Sequence, residues 1–244
     1  MSDLERSNLA QIEMLNQRGG RTLSIVDLIR AGTISVEAAA YVGHRVSQGA
    51  SLLTAANPGG AGKTALLAAL LGFLPEGLPI ITVEGPRHVA AAEQATAPAC
   101  YLAHEIGAGH WYGYLWGASV ARYLALARGP HTVASCLHAD TLEEMRAALA
   151  APPLEVAPET LLGIDFLLFM HVDREARGYR RRVDAISESQ AGEHRSIFRW
   201  NRERDAYEAL VAMDGEAAAV ARVLAEMAEA GVVEYGKVRA RLSS

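Results

Sequence analysis

Apolar residues in this chain gather into short continuous runs at residues 51–56, 80–84, 100–105, 132–138 and 165–171. Runs of that length, bounded by glycine, proline or polar clusters, predict strands buried on both faces. Between them, residues 63–73, 114–127 and 142–150 carry apolar positions at helical spacing. Strands alternating with helices predict an α/β fold, a mostly parallel sheet flanked by helices. Ahead of the first strand, residues 22–46 read as two short helices around Gly32-Thr33, with Ser35 as the N-cap of the second. After Asp173 the pattern changes. Residues 179–187 and 194–200 predict two exposed antiparallel strands joined through Gln190-Ala191-Gly192, an edge β-hairpin. Residues 216–242 are alanine-rich, helical and broken at Gly231. The expected organisation is a polar leader over 1–20, helical or loose, a main domain over 21–205 and C-terminal helices over 206–244.

Composition narrows the possibilities. A chain of 244 residues, 50% hydrophobic, can bury a full core. Its 23 Lys and Arg against 28 Asp and Glu create no field that would draw it to DNA or anionic lipid, so no nucleic-acid partner is expected. Cys100 and Cys136 have no paired or metal-like spacing and are expected to be free thiols in a reducing compartment. The first residues lack the basic and apolar pattern of a secretory signal. The longest apolar stretches are about ten residues, half of the ~20 a transmembrane helix needs. A cytoplasmic protein is expected, peripheral to a membrane only through a partner.

The strongest chemical signal is Asn57-Pro58-Gly59-Gly60-Ala61-Gly62-Lys63-Thr64, between a predicted strand and a predicted helix that continues at Ala65. Such a loop wraps backbone N–H groups around phosphate oxygens while the helix dipole adds positive potential. Here the glycines permit the tight path, Lys63 reaches the β and γ phosphates, and the Thr64 hydroxyl can ligate Mg²⁺. Asn57 replaces the usual leading glycine and tolerates a left-handed backbone better than most residues. The expected cofactors are therefore ATP and Mg²⁺.

The surroundings of this loop carry a family likeness. The segment Leu23-Ser-Ile-Val-Asp-Leu-Ile-Arg-Ala-Gly-Thr-Ile-Ser-Val-Glu-Ala-Ala-Ala-Tyr41, followed by a strand and the phosphate loop, resembles the corresponding region of the secretion and pilus motor ATPases. These are the motors of type II and type IV secretion, of type IV and Tad pili, and of archaeal flagella. Ile81-Thr-Val-Glu-Gly-Pro86 is similar to the family's acidic box, Tyr101-Leu-Ala-His-Glu-Ile106 to its second phosphate motif, and Ala134-Ser-Cys-Leu-His-Ala-Asp-Thr-Leu-Glu-Glu144 to its histidine box. The likeness extends over roughly residues 20–200 and is nearest to the Tad, VirB11-like and archaeal branch.

What the resemblance implies is a RecA-like P-loop NTPase that hydrolyses ATP to ADP and phosphate with a positioned water. It also implies a hexameric ring and an inner-membrane platform protein as partner. Glu105 would orient the nucleophile, Glu84 would assist with Mg²⁺ or water, and His138 would sense the γ-phosphate. His104, His110 and His131 read as structural or surface residues, and Arg180-Arg181-Arg182 as a charged, solvated strand edge. Three departures bear on activity. The segment between Pro86 and Tyr101 is short, the family's arginine after the second-motif glutamate is absent, and only residues 1–20 precede the likeness where the family has a docking domain. Arg87 and Arg122 are candidate substitutes for the missing cation. Two other readings stay open: a nucleotide-binding regulatory or scaffold subunit with little turnover, and a DNA-associated RecA-like ATPase.

Overall fold

A computed structural model describes residues 2–16, 20–57, 59–176 and 178–242. Pro58 of the glycine-rich loop lies outside the described residues. The strands, in chain order, are β1 (Leu52–Ala55), β2 (Ile80–Thr82), β3 (Cys100–Ile106), β4 (Tyr114–Leu115), β5 (Thr132–Leu137), β6 (Phe166–Glu175), β7 (Gly178–Gln190), β8 (Glu193–Asn201) and β9 (Ala206–Ala209). The helices are α1 (Asp3–Met14), α2 (Ile25–Arg30), α3 (Val36–Ser47), α4 (Lys63–Leu71), α5 (Pro86–Ala92), α6 (Ser119–Ala125), α7 (Leu142–Ala150), α8 (Pro158–Leu161), α9 (Gly215–Glu229) and α10 (Tyr235–Leu242).

All of these strands join one sheet in the order β2-β3-β5-β1-β6-β7-β8-β9, with β4 paired to the end of β3. From β2 to β6 the pairing is parallel, and from β6 to β9 it is antiparallel. The five continuous apolar runs thus form the parallel half, which needs both faces covered. Alternate residues of each run feed two separate cores. Leu52, Leu102, Ala134 and Leu168 pack on one side, and Leu53, Ala103, Val133 and Leu167 on the other. The first core is closed by α1 to α4 and α9, the second by α5 to α8. β5 lies between the strand that leads into the glycine loop and the strand that ends in Glu105, so the mostly parallel α/β arrangement expected from the sequence is present.

Local signals explain several boundaries. Ser24 caps α2 in a reciprocal box with Asp27, and Ser35 caps α3 by accepting from the Ala38 N–H at 3.1 Å. Gly231, at φ 67°, breaks the C-terminal helical stretch as its sequence predicts. The expected helix over 114–127 is shorter than predicted. Gly113 and Gly117, at φ 72° and 77°, turn the chain on either side of Tyr114–Leu115 and leave that pair as β4 beside β3. Only from Ser119 does the helix run. At Gly113 a Cβ would lie 2.6 Å from His104 Cγ, which fixes a glycine there for a second reason.

Both ends of the described chain bind the helix that follows the glycine loop or its neighbouring strand. Asn8 of α1 donates to Leu78 O at 2.9 Å and accepts from the Ile80 N–H at 2.8 Å, holding α1 at the start of β2. Arg239 of α10 is buried, forms a two-pronged ion pair with Glu5, and donates to Leu71 O and Gly72 O at 3.1 and 3.2 Å. Those are carbonyls at the end of α4 that no further helical turn can satisfy. Tyr235 donates to Ala68 O at 2.6 Å one turn earlier. α9 packs on α2 and α3, and β9 continues the sheet beyond β8.

Candidate functional site

Because β1, β3 and β5 are parallel, their C-terminal ends meet at one edge of the sheet, where loops collect functional side chains. β1 delivers the glycine loop there, β3 delivers Glu105, and β5 delivers His138. The three converge on a cleft of about 1120 Å³ whose lining includes Gly59, Gly60, Gly62, Lys63, Thr64 and Ala65. Gly60 and Gly62 take φ of 96° and 102°, a backbone that side-chain-bearing residues avoid. At Gly62 a Cβ would also press within 3.2 Å of Met170 Cε and Arg181 Cδ. The loop then enters α4 with Lys63 as its first residue, placing a helix N-terminus at the cleft floor. Thr54 Oγ1 donates to Lys63 O at 3.2 Å and pins the loop's return to the strand it left. Ala61 is buried beneath.

Lys63 is 6% exposed, with its ammonium donating to Ala56 O and to His138 Nδ1, both at 3.3 Å. His138 Nε2 lies 2.8 Å from Glu105 Oε1. An ammonium can only donate, so His138 Nδ1 must accept, and the imidazole proton resides on Nε2, directed at the Glu105 carboxylate. Lys63, His138 and Glu105 are therefore one polarised chain. Glu105 reaches it because the β3–β5 register slips between Ala103 and Ile106, a bulge that releases this residue from regular pairing. Asp140, two residues beyond His138, accepts from the Asn57 N–H and ties the histidine loop to the start of the glycine loop.

The remaining sequence candidates fall in different places. Glu84 is exposed at the end of β2, three strands from β1, and does not line the cleft; its N–H donates to His88 Nδ1 at 3.1 Å. Arg87 is exposed on α5, and Arg122 is forked onto Glu93, its Nε donating at 2.8 Å. Neither lines the cleft. His131 is buried against Tyr101 and its Nε2 sits 3.1 Å from Ala95 O, a structural position, while His110 is exposed. Cys100 and Cys136 are free and buried, and burial pushes both thiols up to about 12.

The arginine triplet corrects the sequence reading. Instead of a solvated edge, Arg180, Arg181 and Arg182 line the cleft. The side of β7 they occupy that faces away from β6 is covered: Val183 N–H donates to Thr33 O at 2.7 Å, and Tyr207 also reaches this segment. Arg182 forks onto Asp205 at 2.8 Å for both contacts, and this pairing holds the Asp205 carboxyl down to about 2. Arg180 pairs with Asp173 and Glu175, and both arginines flank the Trp200 ring. The cleft lining also includes residues ahead of β1, among them Thr22, Leu23, Leu28 and the Arg21–Asp27 pair. Their separation from the glycine loop along the chain gives no local sign of this proximity.

His104, next to Glu105, also reaches the cleft lining although it is 2% exposed, and it packs edge-on to Tyr112. Burial pushes its imidazole down to about 4. The folded protein thus holds it neutral below the pH at which the unfolded chain takes up the proton, so stability falls as pH drops from about 6.5 toward 4. The expected loss at pH 4 from this residue is up to ~3 kcal/mol. Denaturant unfolding at pH 7 and pH 4.5 should show a smaller loss in His104→Asn than in the parent; equal losses would reject the assignment.

No family model matches the chain, and no curated protein matches it. Among the described residues no helix is long and apolar enough to cross a membrane. Among solved structures, the crystal structure of the VirB11 ATPase from the Brucella suis type IV secretion system, in complex with sulphate, is similar at a TM-score of 0.44 and 14% identity, over 74% of this chain and 55% of that one. The chain spans just over half the length of that protein.

Proposed function

We propose that this chain binds Mg²⁺–ATP in the cleft at the C-terminal edge of β1 and hydrolyses it to ADP and phosphate. The observation that carries this reading is the convergence of Lys63, His138 and Glu105 on one glycine-rich loop that opens a helix. In this reading the loop amides and Lys63 hold the β and γ phosphates. A Mg²⁺ ion bound there would supply positive charge against the phosphates. Thr64, at the second position of α4 and lining the cleft, would hold it through its hydroxyl. The demand for a larger protein cage is absent from such sites, since Mg²⁺ keeps waters and phosphate oxygens as most of its ligands.

Glu105 would then accept a hydrogen bond from the attacking water and take its proton as the water oxygen bonds to the γ-phosphorus and the bond from that phosphorus to the ADP oxygen breaks, releasing ADP. His138 links that carboxylate to Lys63, so a change at the phosphate reaches β5 through one imidazole. The sequence likeness to the secretion and pilus motors extends the proposal to a motor subunit working on a membrane-associated machine as a homo-oligomer. A scaffold subunit that binds ATP with little turnover is the competing reading, favoured by the position of Arg122, which Glu93 holds outside the cleft. Titration calorimetry with ATP and Mg²⁺, run beside steady-state phosphate release, decides between them. Saturable binding with release is expected, and light scattering should register assembly when a nonhydrolysable ATP analogue is added. Tight binding without release would establish the scaffold; no uptake would end both.

A further inference from the structure

We infer that Arg181 is a phosphate-contacting cation supplied by the chain to its own cleft, and that it separates triphosphate from diphosphate. The inference rests on the nucleotide reading above but on different atoms. Among the described residues, the arginines and lysines that line the cleft are Arg21, Lys63, Arg180, Arg181 and Arg182. Arg21 is taken up by Asp27, Arg180 by Asp173 and Glu175, and Arg182 by Asp205. Among the described residues Arg181 pairs with no carboxylate. Its Nε donates to Gly60 O at 3.0 Å, inside the glycine loop, and its guanidinium lies over the Tyr179 ring at 5.4 Å. A half-buried guanidinium that is left unneutralised while both neighbours are paired is costly unless something anionic visits it.

The strand geometry makes this position specific. Side chains alternate along β7, so Arg181 shares a face with Val183, whose partner across the β6 pairing is Met170. Met170 and Arg181 are the two side chains that would meet a Cβ at Gly62, so this face of β7 abuts the glycine loop. Arg180 and Arg182 take the opposite set of partners, Trp200 and Asp205. One hydrogen bond to Gly60 O holds Arg181 by Nε alone and leaves the two terminal nitrogens as donors, the fork that suits a phosphoryl group. Only a triphosphate adds a third phosphoryl group for that fork to grip, and the charge supplied there would replace the arginine missing after Glu105. β7 continues through the antiparallel half of the sheet, so release of that group would be felt outside the parallel core.

The test compares the parent chain with Arg181→Gln and Arg181→Lys, using calorimetry with ADP and with a nonhydrolysable ATP analogue, each with Mg²⁺. The Gln variant should bind the analogue roughly ten- to a hundredfold more weakly while its ADP affinity changes by less than about threefold. The Lys variant, which keeps the charge without the fork, should fall between. Equal losses for ADP and analogue would overturn the inference and leave a role in loop structure. Unchanged affinity for both would also overturn it while the nucleotide reading stands. Absence of uptake by the parent chain would instead remove the nucleotide reading, and this inference with it. Should the Gln variant not fold, the Lys variant alone decides, since its analogue-to-ADP affinity ratio must drop.

Discussion

Lys63→Ala is expected to weaken Mg²⁺–ATP binding by about two orders of magnitude and to bring phosphate release to background. The ammonium is the cation at the start of α4, and among the described residues its partners are a carbonyl and an imidazole at 3.3 Å each. Exchanging those for phosphate oxygens is where its contribution to affinity arises. Stability provides the control. A buried ammonium with two neutral partners costs desolvation that an alanine does not, so the variant without nucleotide should unfold at no lower denaturant concentration than the parent. Calorimetry, phosphate release and denaturant unfolding on the same preparation check all three points. A variant that binds ATP normally would remove Lys63 from the phosphate site, and one that is clearly less stable would make it a structural residue.

Much of this site was legible in the chain itself. Runs such as 132–138 are apolar at every position because both faces of a parallel strand are buried, so they declare themselves without alternation. A glycine-rich turn between such a run and a helix has few other uses. Strand ends then place whatever polar residue comes next at the common edge, and Glu105 and His138 both line the cleft there. The same rule does not separate Glu84 from Glu105. Both end a strand, and only the sheet order, which sets β2 three places from β1 and β3 two, tells which side chain reaches the loop.

Other features depend on long-range packing that spacing does not encode. Three consecutive arginines look like a wet edge, and nothing local reveals that residues 31–33 and Tyr207 cover that edge or that Asp205 neutralises one of the three. Alternation along a strand separates Arg181 from Arg180 and Arg182, yet which face meets the glycine loop depends on the β6–β7 pairing. β4 is a similar case, since helical spacing over 114–127 conceals how the positive φ of Gly117, and of Gly113 just ahead of the stretch, delays the helix. Gly113 and Gly117 were visible signals for that break. Asp140 was visible too, two residues past the histidine, but its partner, the Asn57 N–H, lies far away in sequence.

Glu105→Gln should leave ATP affinity within about threefold of the parent while lowering the rate of phosphate release by roughly 10²–10⁴. The carboxylate makes its described contact with His138 Nε2 rather than with the phosphate loop, so binding does not depend on its charge. A glutamine keeps the length, and its carbonyl oxygen can still accept from Nε2–H, which preserves the link to Lys63. What the amide cannot do is take a proton from water. The effect therefore belongs in kcat, not in affinity. Single-turnover release measured alongside calorimetry separates the two quantities. Should affinity and turnover fall together, Glu105 holds the cleft's shape through His138, and the proton acceptor must be sought elsewhere. A variant that hydrolyses ATP at the parent rate would show that the Lys63–His138–Glu105 chain connects the loop to the sheet without taking part in the chemistry.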